Sequence, residues 1–325
     1  MPVRRRTALA ALTALALPLT GAQAQAQAEA GRAVRWIVPY QAGSAPDIQS
    51  RILGEAMAKV LGQPVVIDNK PGAAGNLGAQ LARRAPADGN TWMYAASPMA
   101  VNMRLYKAPG FDALKDFTHV VMIGSSDSVL VVDPRSGLRN LSELLQRLRA
   151  KPGASSYGSG GVGTPSHLAA EWLLHEAKAQ AVQVPYKGAA AVSLAVMSEE
   201  VLFAVPVTGV ALPHIQAGKL RALAVSGKHR NARLPDVPTL AESGFPDVAT
   251  VSFGGISVPA GTPAAAVQRI EAALRQALAM PSVREKIEAT GLEVAIADGP
   301  AFAAAVAAEI TATERMMRAA RIDSQ

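Results

Sequence analysis

Short apolar runs alternate with longer amphipathic segments along this sequence, and the alternation restricts the fold more than any other feature. Residues 34–40, 65–68 and 91–95 are short and apolar, which is typical of buried strands. Between them, residues 47–61 and 76–85 carry apolar side chains at helical spacing. Because parallel strands need a crossover between them, this order predicts a parallel α/β sheet with helices as the crossovers.

The same alternation returns in the second half of the chain and predicts a second lobe. Its strands and helices fall at residues 129–132, 141–150, 155–159, 165–177, 181–186, 188–197, 201–207 and 220–225. A strand at 253–258 then leads back to the first lobe, and helices follow at 263–280, 282–290 and 300–320. We therefore expect residues 31–128 plus 254–325 to form the first lobe and residues 129–253 to form the second, with two crossings between them.

The N-terminal region has the three parts of a secretory signal peptide. Three arginines at 4–6 precede an apolar run at residues 8–19, and the small-residue sequence Ala22-Gln23-Ala24 follows. A retained membrane anchor is the alternative, but the run is shorter than the roughly 20 residues that span a bilayer. We expect residues 1–28 to be removed on export, by general secretion or by the twin-arginine route, which leaves a periplasmic protein without membrane insertion.

The composition argues against several classes of function. The chain has no cysteine, which excludes disulfides and thiolate metal sites. Its formal net charge is +7, part of which lies in the signal, and the other Lys and Arg residues are scattered among few aromatic residues (4%). Nucleic-acid binding needs a clustered basic surface, usually with stacking side chains. We therefore expect no nucleic-acid partner.

Three Gly-rich turns, at residues 41–47, 71–78 and 158–164, each join a predicted strand to a predicted helix. Glycine lets a ligand approach backbone amides, and the helix N-terminus beyond each turn attracts negative charge. These are either ordinary turns that need glycine for their geometry or parts of an anion site at the carboxyl ends of the strands. Hydroxyl and amide side chains in or near the turns favour the site: Ser44, Asn76, Ser97, Ser159, Thr164 and Ser166.

The third turn also matches a dinucleotide fingerprint, Gly158-x-Gly160-x-x-Gly163. In that fingerprint the next strand ends in an acidic residue that holds the ribose, whereas the next predicted strand here ends in Lys187-Gly188. We therefore expect no nucleotide cofactor.

Histidine and glutamate residues on the predicted helix after the third turn suggest a metal site or a catalytic group. His167, Glu171 and His175 are four residues apart. Successive steps of four drift around a helix, and the first and last residues lie two turns apart, so they rarely reach one ion together. Since no hydrolase motif accompanies them, we expect no metal and no catalytic residue. A polar role remains for His167, which bonds either the loop or the ligand.

The order and spacing of several short segments resemble a known family. The segments include Ile37-Val38-Pro39-Tyr40, Asn69-Lys70-Pro71-Gly72-Ala73, Ala87-Asp88-Gly89-Asn90-Thr91, Gly158-Ser159-Gly160-Gly161, Val184-Pro185-Tyr186-Lys187-Gly188 and Pro259-Ala260-Gly261-Thr262-Pro263. Over nearly the whole mature chain they resemble the substrate-binding receptors of tripartite tricarboxylate transporters, often called Bug receptors.

This resemblance implies a type II periplasmic-binding-protein fold, in which two α/β lobes are joined by two crossing strands and close on a ligand in the cleft between them. It also implies a small carboxylate ligand, such as a di- or tricarboxylate or an aromatic carboxylate, held by amides, hydroxyls and waters. The site residues that it carries over are Tyr40, Gly43, Asp47, Asn76, Ser159, Gly163, Thr164 and His167. The chain departs from the family pattern in the first turn. There Ser44 replaces a usual glycine and offers a hydroxyl, and Pro46 replaces Thr or Ser and removes an N–H donor.

The resemblance further implies a monomeric receptor, without enzymatic activity, that delivers its carboxylate to the membrane permease subunits of a tripartite transporter. Two alternatives stay open at this point. One is a receptor of the same fold that signals to a membrane kinase, and the other is an exported enzyme that uses His167.

Overall fold

Two β-sheets organise the chain. The structure is a computed structural model, which describes residues 32–161, 164–186, 188–246, 248, 251–320 and 322–324. The expected signal peptide at residues 1–28 lies outside this part of the chain. Ala33–Gln325 form one compact unit, so the two sheets belong to a single body.

The first lobe is built on a six-stranded sheet. Its strands are β1 (Val34–Val38), β2 (Val65–Asn69), β3 (Thr91–Ala96), β4 (Phe117–Asp127), β10 (Val251–Pro259) and β11 (Glu293–Asp298). They lie in the order β11-β4-β10-β3-β1-β2. The parallel part is β1 with β2 and β3, as the alternating pattern predicted, whereas β4, β10 and β11 pair antiparallel. The sheet is therefore mixed and not wholly parallel.

The second lobe is built on a five-stranded sheet. Its strands are β5 (Val129–Val132), β6 (Ser156–Ser159), β7 (Val182–Pro185), β8 (Phe203–Ala204) and β9 (Arg221–Val225). They lie in the order β7-β6-β8-β5-β9, with β6 parallel to β7 and β8 and with β5 antiparallel to β8 and β9. The strand expected at 201–207 is reduced to the two residues of β8.

Helices cover both sheets. Those of the first lobe are α1 (Ala45–Leu61), α2 (Asn76–Arg83), α3 (Ser97–Leu105), α8 (Ala264–Leu278), α9 (Pro281–Glu288) and α10 (Gly299–Ala320). Those of the second lobe are α4 (Leu141–Ala150), α5 (Pro165–Glu176), α6 (Ala189–Met197) and α7 (Thr208–Gln216). α4 shows why such segments fold: Leu141, Leu144 and Leu148 are buried on one face, and the Asn140 side chain caps the first turn.

Two strands carry the chain between the lobes. β4 leads into the second lobe and β10 returns from it, and they pair antiparallel from Asp127 opposite Val251 to Phe117 opposite Pro259. The sequence predicted the returning strand but not β4, which is the longer of the two. The lobe boundaries at residues 128 and 253 stay a prediction.

α10 contacts both lobes. Its N-terminal half packs on the first lobe, where the Phe302 ring is fully buried between Phe253 of β10 and His119 of β4. Its C-terminal half packs against α5 of the second lobe, and Met316 and Met317 belong to a hydrophobic cluster made mostly of second-lobe residues, with Val101 and Leu105 of α3. Within the described residues, no helix combines the length and the apolar character that crossing a bilayer requires.

Candidate functional site

The first lobe places three loops at one edge of its sheet. β1, β2 and β3 are parallel and end at Val38, Asn69 and Ala96, and the chain turns there into α1, α2 and α3. A cavity of about 10 Å³ marks the place where these loops meet, with Tyr40 and Ala96 in its lining. Since ligands of α/β sheets bind beyond the carboxyl ends of the strands, this edge is the candidate site of the first lobe.

Asp47 holds the first loop together. Its carboxylate accepts hydrogen bonds from the Gly43 amide at 2.8 Å, the Asn69 side-chain amide at 2.9 Å and the Arg51 guanidinium at 3.1 Å, and the residue is 2% exposed. Burial alone would raise the pKa of this carboxyl, but these three hydrogen bonds outweigh it and hold the pKa below its ordinary value. Gly43 has a φ of +82°, which suits the sharp turn. Asp47 therefore positions the loop and has its oxygens occupied by the protein.

Replacing Asp47 by alanine is expected to lower the free energy of unfolding by about 2 kcal/mol, because it leaves two amide donors without an acceptor. Arg51 is half exposed, with 54% of its side chain accessible, so Arg51→Ala is the matched control and should cost less than about 1 kcal/mol. Urea denaturation of both variants measures the difference. Equal losses would contradict the role assigned to the Asp47 carboxylate.

Ser44 presents a hydroxyl without a partner. It is the residue before α1, in extended conformation, but its side chain makes no capping bond to the helix. Its Oγ is buried and has no hydrogen-bond partner among the described residues. Pro46 lies in the first turn of the helix and has no N–H. The hydroxyl of Ser44 is thus available as a donor where the first turn has lost one.

Tyr40 packs at the start of the loop after β1. Its ring lies edge-on to that of Tyr94, with 6.4 Å between the ring centroids, and its backbone carbonyl accepts a hydrogen bond from Asn69. Burial raises the pKa of the Tyr40 and Tyr94 phenols, so both are neutral. Tyr94 donates to the side chain of Gln49. Tyr40 therefore offers a neutral surface.

Asn76 and Ser97 fasten the other two loops of the first lobe. The Asn102 side-chain amide donates to Asn76 Oδ1 at 2.6 Å and to the Ala74 carbonyl at 3.0 Å. Ser97 Oγ accepts a hydrogen bond from the Phe253 amide at 2.9 Å, which ties the start of α3 to the strand β10. Both side chains are buried. Each therefore holds the geometry of a loop at the candidate edge.

In the second lobe, hydroxyl groups organise the third Gly-rich turn after β6. Ser159 Oγ accepts hydrogen bonds from the Gln183 amide at 2.7 Å and the Gly161 amide at 3.3 Å. Ser166 Oγ accepts from the Gly160 amide at 2.9 Å and lies 3.1 Å from Thr164 Oγ1. Because Thr164 gives its proton to the Gly161 carbonyl at 2.7 Å, Ser166 donates to Thr164. Gly163 lies outside the described residues.

His167 is a buried neutral side chain on α5. Burial lowers its pKa, against an opposing effect of the Glu171 carboxylate, and the residue is 6% exposed. Glu171 accepts a hydrogen bond from the Tyr157 hydroxyl, and His175 faces solvent. In the described part of the chain, no group of three or more acidic, histidine or cysteine side chains is placed to hold a metal ion.

The predicted residues thus fall into two clusters, one in each lobe. The structure brings Tyr40, Gly43, Ser44 and Asp47 together in the loop after β1. It brings Ser159, Thr164 and Ser166 together in the third Gly-rich turn, after β6. Asn69, Asn102 and Gln183 also belong to these clusters, and sequence reasoning missed them as site residues. Asn69 ends a strand beside a Gly-rich turn, which was the signal that could have identified it.

Comparison with known proteins gives a consistent family. The family model described as tripartite tricarboxylate transporter family receptor matches residues 49–321. BugT of Bordetella pertussis is 30% identical over 295 residues, which cover 90% of each chain.

Two solved structures are similar over almost their full length. An R. palustris protein with adipate has a TM-score of 0.80 and 28% identity, covering 90% of this chain and 99% of that one. MatC from Rhodopseudomonas palustris with bound malate has a TM-score of 0.75 and 27% identity, covering 88% of this chain and 98% of its own.

Proposed function

Since the chain belongs to the tripartite tricarboxylate transporter receptor family, we propose that it is a periplasmic receptor that binds a small carboxylate and delivers it to a tripartite permease. This family consists of solute-binding receptors and not of enzymes. The fold of the chain, with two sheets, agrees with the periplasmic-binding architecture that the resemblance implied.

The observation that carries the proposal is the unpartnered hydroxyl of Ser44 beside the N-terminus of α1. A buried hydroxyl without a hydrogen bond is costly, and a ligand carboxylate would supply the missing acceptor. The helix N-terminus adds a favourable field for negative charge. Arg51 is bound to Asp47 and Asn69, which suits a site that holds its anion with hydroxyls and amides.

We propose as site residues Tyr40, Gly43, Ser44, Asp47, Asn76, Ser97, Ser159, Gly163, Thr164, Ser166 and His167. Within this set, the Ser44 hydroxyl faces the ligand, and Asp47, Asn76 and Ser97 position the loops. Two similar proteins were solved with adipate and malate, which are dicarboxylates. These support a carboxylate ligand, and we propose that it is a di- or tricarboxylate or an aromatic carboxylate.

Location and partners follow from the same proposal. Receptors of this family act in the periplasm, and residues 1–28 would direct export as a cleavable signal. We propose that the receptor is a monomer that meets the permease subunits after closing on its ligand. Uptake of the labelled acid should stop when the gene is deleted, whereas a receptor that only signals to a kinase would leave uptake intact.

A thermal-shift screen of the purified protein tests carboxylate binding. A ligand at 100 times its Kd adds about 2.7 kcal/mol of stability, which raises the melting temperature of a chain of this size by a few degrees. We expect one acid among di-, tri- and aromatic carboxylates to give this shift, and the corresponding amide to give none. If refolded protein, freed of any co-purified ligand, responds to none of the acids, the carboxylate proposal is wrong.

Replacing Ser44 by alanine should weaken binding of that acid by about tenfold, because one hydrogen bond to a charged group is lost. The ligand-free stability should stay within about 0.5 kcal/mol of the wild type, since the hydroxyl has no partner to lose. Ser142→Ala, at an exposed position on α4, is the matched control. Calorimetric titration measures the affinities, and an unchanged affinity in Ser44→Ala would remove the first loop from the site.

A further inference from the structure

A second cavity lies where the two lobes meet, and none of its lining residues belongs to the candidate carboxylate site. It measures about 270 Å³ and is bounded by the end of β4, the start of α7 and the turn before β11. Its polar lining includes Asp127, Thr208, Asn231 and Glu293. Since α7 belongs to the second lobe and β11 to the first, both lobes contribute walls.

Two glycines, one from each lobe, bring the backbones on either side of the cavity into contact. A Cβ atom on Gly209 of α7 would lie 2.1 Å from the Cα of Gly291, and one on Gly291 would lie 2.6 Å from the Cα of Gly209. Neither position therefore accepts a side chain in this arrangement. In addition, Ser126 Oγ donates to the Gly291 carbonyl at 2.8 Å. The cavity is thus a defined space between two backbones in contact.

Two carboxylates in the cavity have no cationic partner among the residues that the structure describes. Asp127 is bonded to the neutral side-chain amide of Asn231, at 3.1 and 3.3 Å, and neither Asp127 nor Glu293 forms an ion pair with any described residue. Burial raises the pKa of the Asp127 carboxyl, and Glu293 adds to that rise, whereas Thr208 and Asn231 oppose it.

The arginines in the lining do not fill this role. Arg284 is bound to Glu288 at 2.9 Å and to the Val294 carbonyl at 3.1 Å. Arg233 is exposed, and its backbone amide donates to the Asn231 side chain at 2.9 Å. Asp127 is partly buried, whereas Glu293 is exposed. A partly buried carboxylate without a cation is unfavourable, so the cavity lacks a positive charge beside Asp127.

The hydroxyl of Thr208 is a second polar group that lacks a well-formed partner in this cavity. The residue is 3% exposed and lines the cavity. Its hydroxyl lies close enough to Asp127 to affect that carboxyl, yet Oγ1 makes no hydrogen bond of normal geometry within the described residues. Buried hydroxyls are nearly always bonded. The Thr208 oxygen can therefore accept a hydrogen bond while its proton remains free to point at Asp127.

We propose that this cavity is a second binding site, which takes a small organic cation with a primary ammonium group. An ammonium has three donors and no acceptor, which matches the Asp127 carboxylate, the Glu293 carboxylate and the Thr208 hydroxyl. Leu212 and Leu292 also line the cavity and give an apolar surface for a short alkyl chain. Because both lobes form the walls, the occupied site favours the arrangement in which Gly209 and Gly291 touch.

The proposal does not depend on carboxylate binding, and its test uses a ligand without a carboxylate. The amide signals of Gly209 and Gly291 and the side-chain amide of Asn231 would be followed by NMR during titration with n-propylammonium chloride. Sodium chloride and n-propanol are the controls for ionic strength and for the alkyl chain. We expect saturable shifts with the ammonium compound alone.

Two variants make the test specific. Asp127→Asn should weaken binding at least about tenfold, and Glu293→Gln, at an exposed position where folding is not at risk, should weaken it severalfold. Asp112→Asn, which removes an exposed carboxylate of the first lobe, should leave it unchanged. Shifts that do not saturate, that sodium chloride reproduces or that survive in both cavity variants would overturn the proposal.

Discussion

Replacing Phe302 by alanine is expected to lower the free energy of unfolding by about 3–5 kcal/mol, the cost of emptying a fully buried aromatic site. The ring is 0% exposed and lies 5.5 Å from the ring of Phe253 and 5.0 Å from that of His119. These neighbours belong to β10 and β4, the two strands that join the lobes. The loss should therefore exceed that of an average core substitution.

Urea denaturation with a matched control measures this loss. Leu194→Ala removes a large apolar side chain that is 59% exposed on α6, and it should cost less than about 0.5 kcal/mol. Phe302→Leu, which fills much of the space, should cost less than the alanine variant. A loss below about 1 kcal/mol in Phe302→Ala would mean that α10 is not secured to the crossing strands through this ring.

Acidification is expected to destabilise the protein through His119, whose pKa burial lowers from 6.5 to about 4. The ring lies inside the first lobe, 2.8 Å from Ser257 Oγ and 3.0 Å from the Ala113 carbonyl. A carbonyl only accepts, so Nε2 carries the proton and Nδ1 accepts from Ser257. Between pH 6.5 and 4 the unfolded chain binds a proton that the folded protein excludes. As the pH falls from 6.5 to 4, the free energy of unfolding should therefore decrease by about 3 kcal/mol.

Denaturation curves at several pH values between 7.5 and 4 separate this effect from the titration of the carboxylates. In His119→Gln the amide preserves one donor and one acceptor but does not titrate. The free energy of unfolding of this variant should therefore decrease less on acidification than that of the wild type, by about 3 kcal/mol. His229→Gln, which changes an exposed histidine, should retain the wild-type decline. Identical pH dependence in His119→Gln and the wild type would show that His119 is not the titrating group.

The alternating architecture could be predicted because several of its strands are short and mostly apolar. β1, β3 and β5 have almost every residue buried, so each stands out between amphipathic helices. β4 was missed because its second half, Gly124-Ser125-Ser126-Asp127, is polar where the strand leaves the first lobe. α3 was missed because Ser97 and Pro98 begin it directly after β3, without an intervening loop.

The residues of the candidate site could be located from sequence, but their separate roles could not. Ser44 and Asp47 lie three positions apart in one Gly-rich turn. Among the described residues, the Asp47 carboxylate has three protein partners and the Ser44 hydroxyl has none. This difference depends on Asn69, which comes from the end of another strand. Spacing along one segment contains no information about such a partner.

The position of α10 limits how far a receptor of this kind can open. Two strands alone would form a flexible hinge, but α10 adds a third connection, with Phe302 held in the first lobe and Met316 and Met317 packed in a cluster formed mostly by the second lobe. A wide swing would pull these methionines out of an apolar core and expose them to water. We therefore expect a short stroke, a rotation that slides the last turns of α10 over α5 without separating them. A membrane partner would then have to distinguish the empty from the loaded receptor by a small displacement of its surface.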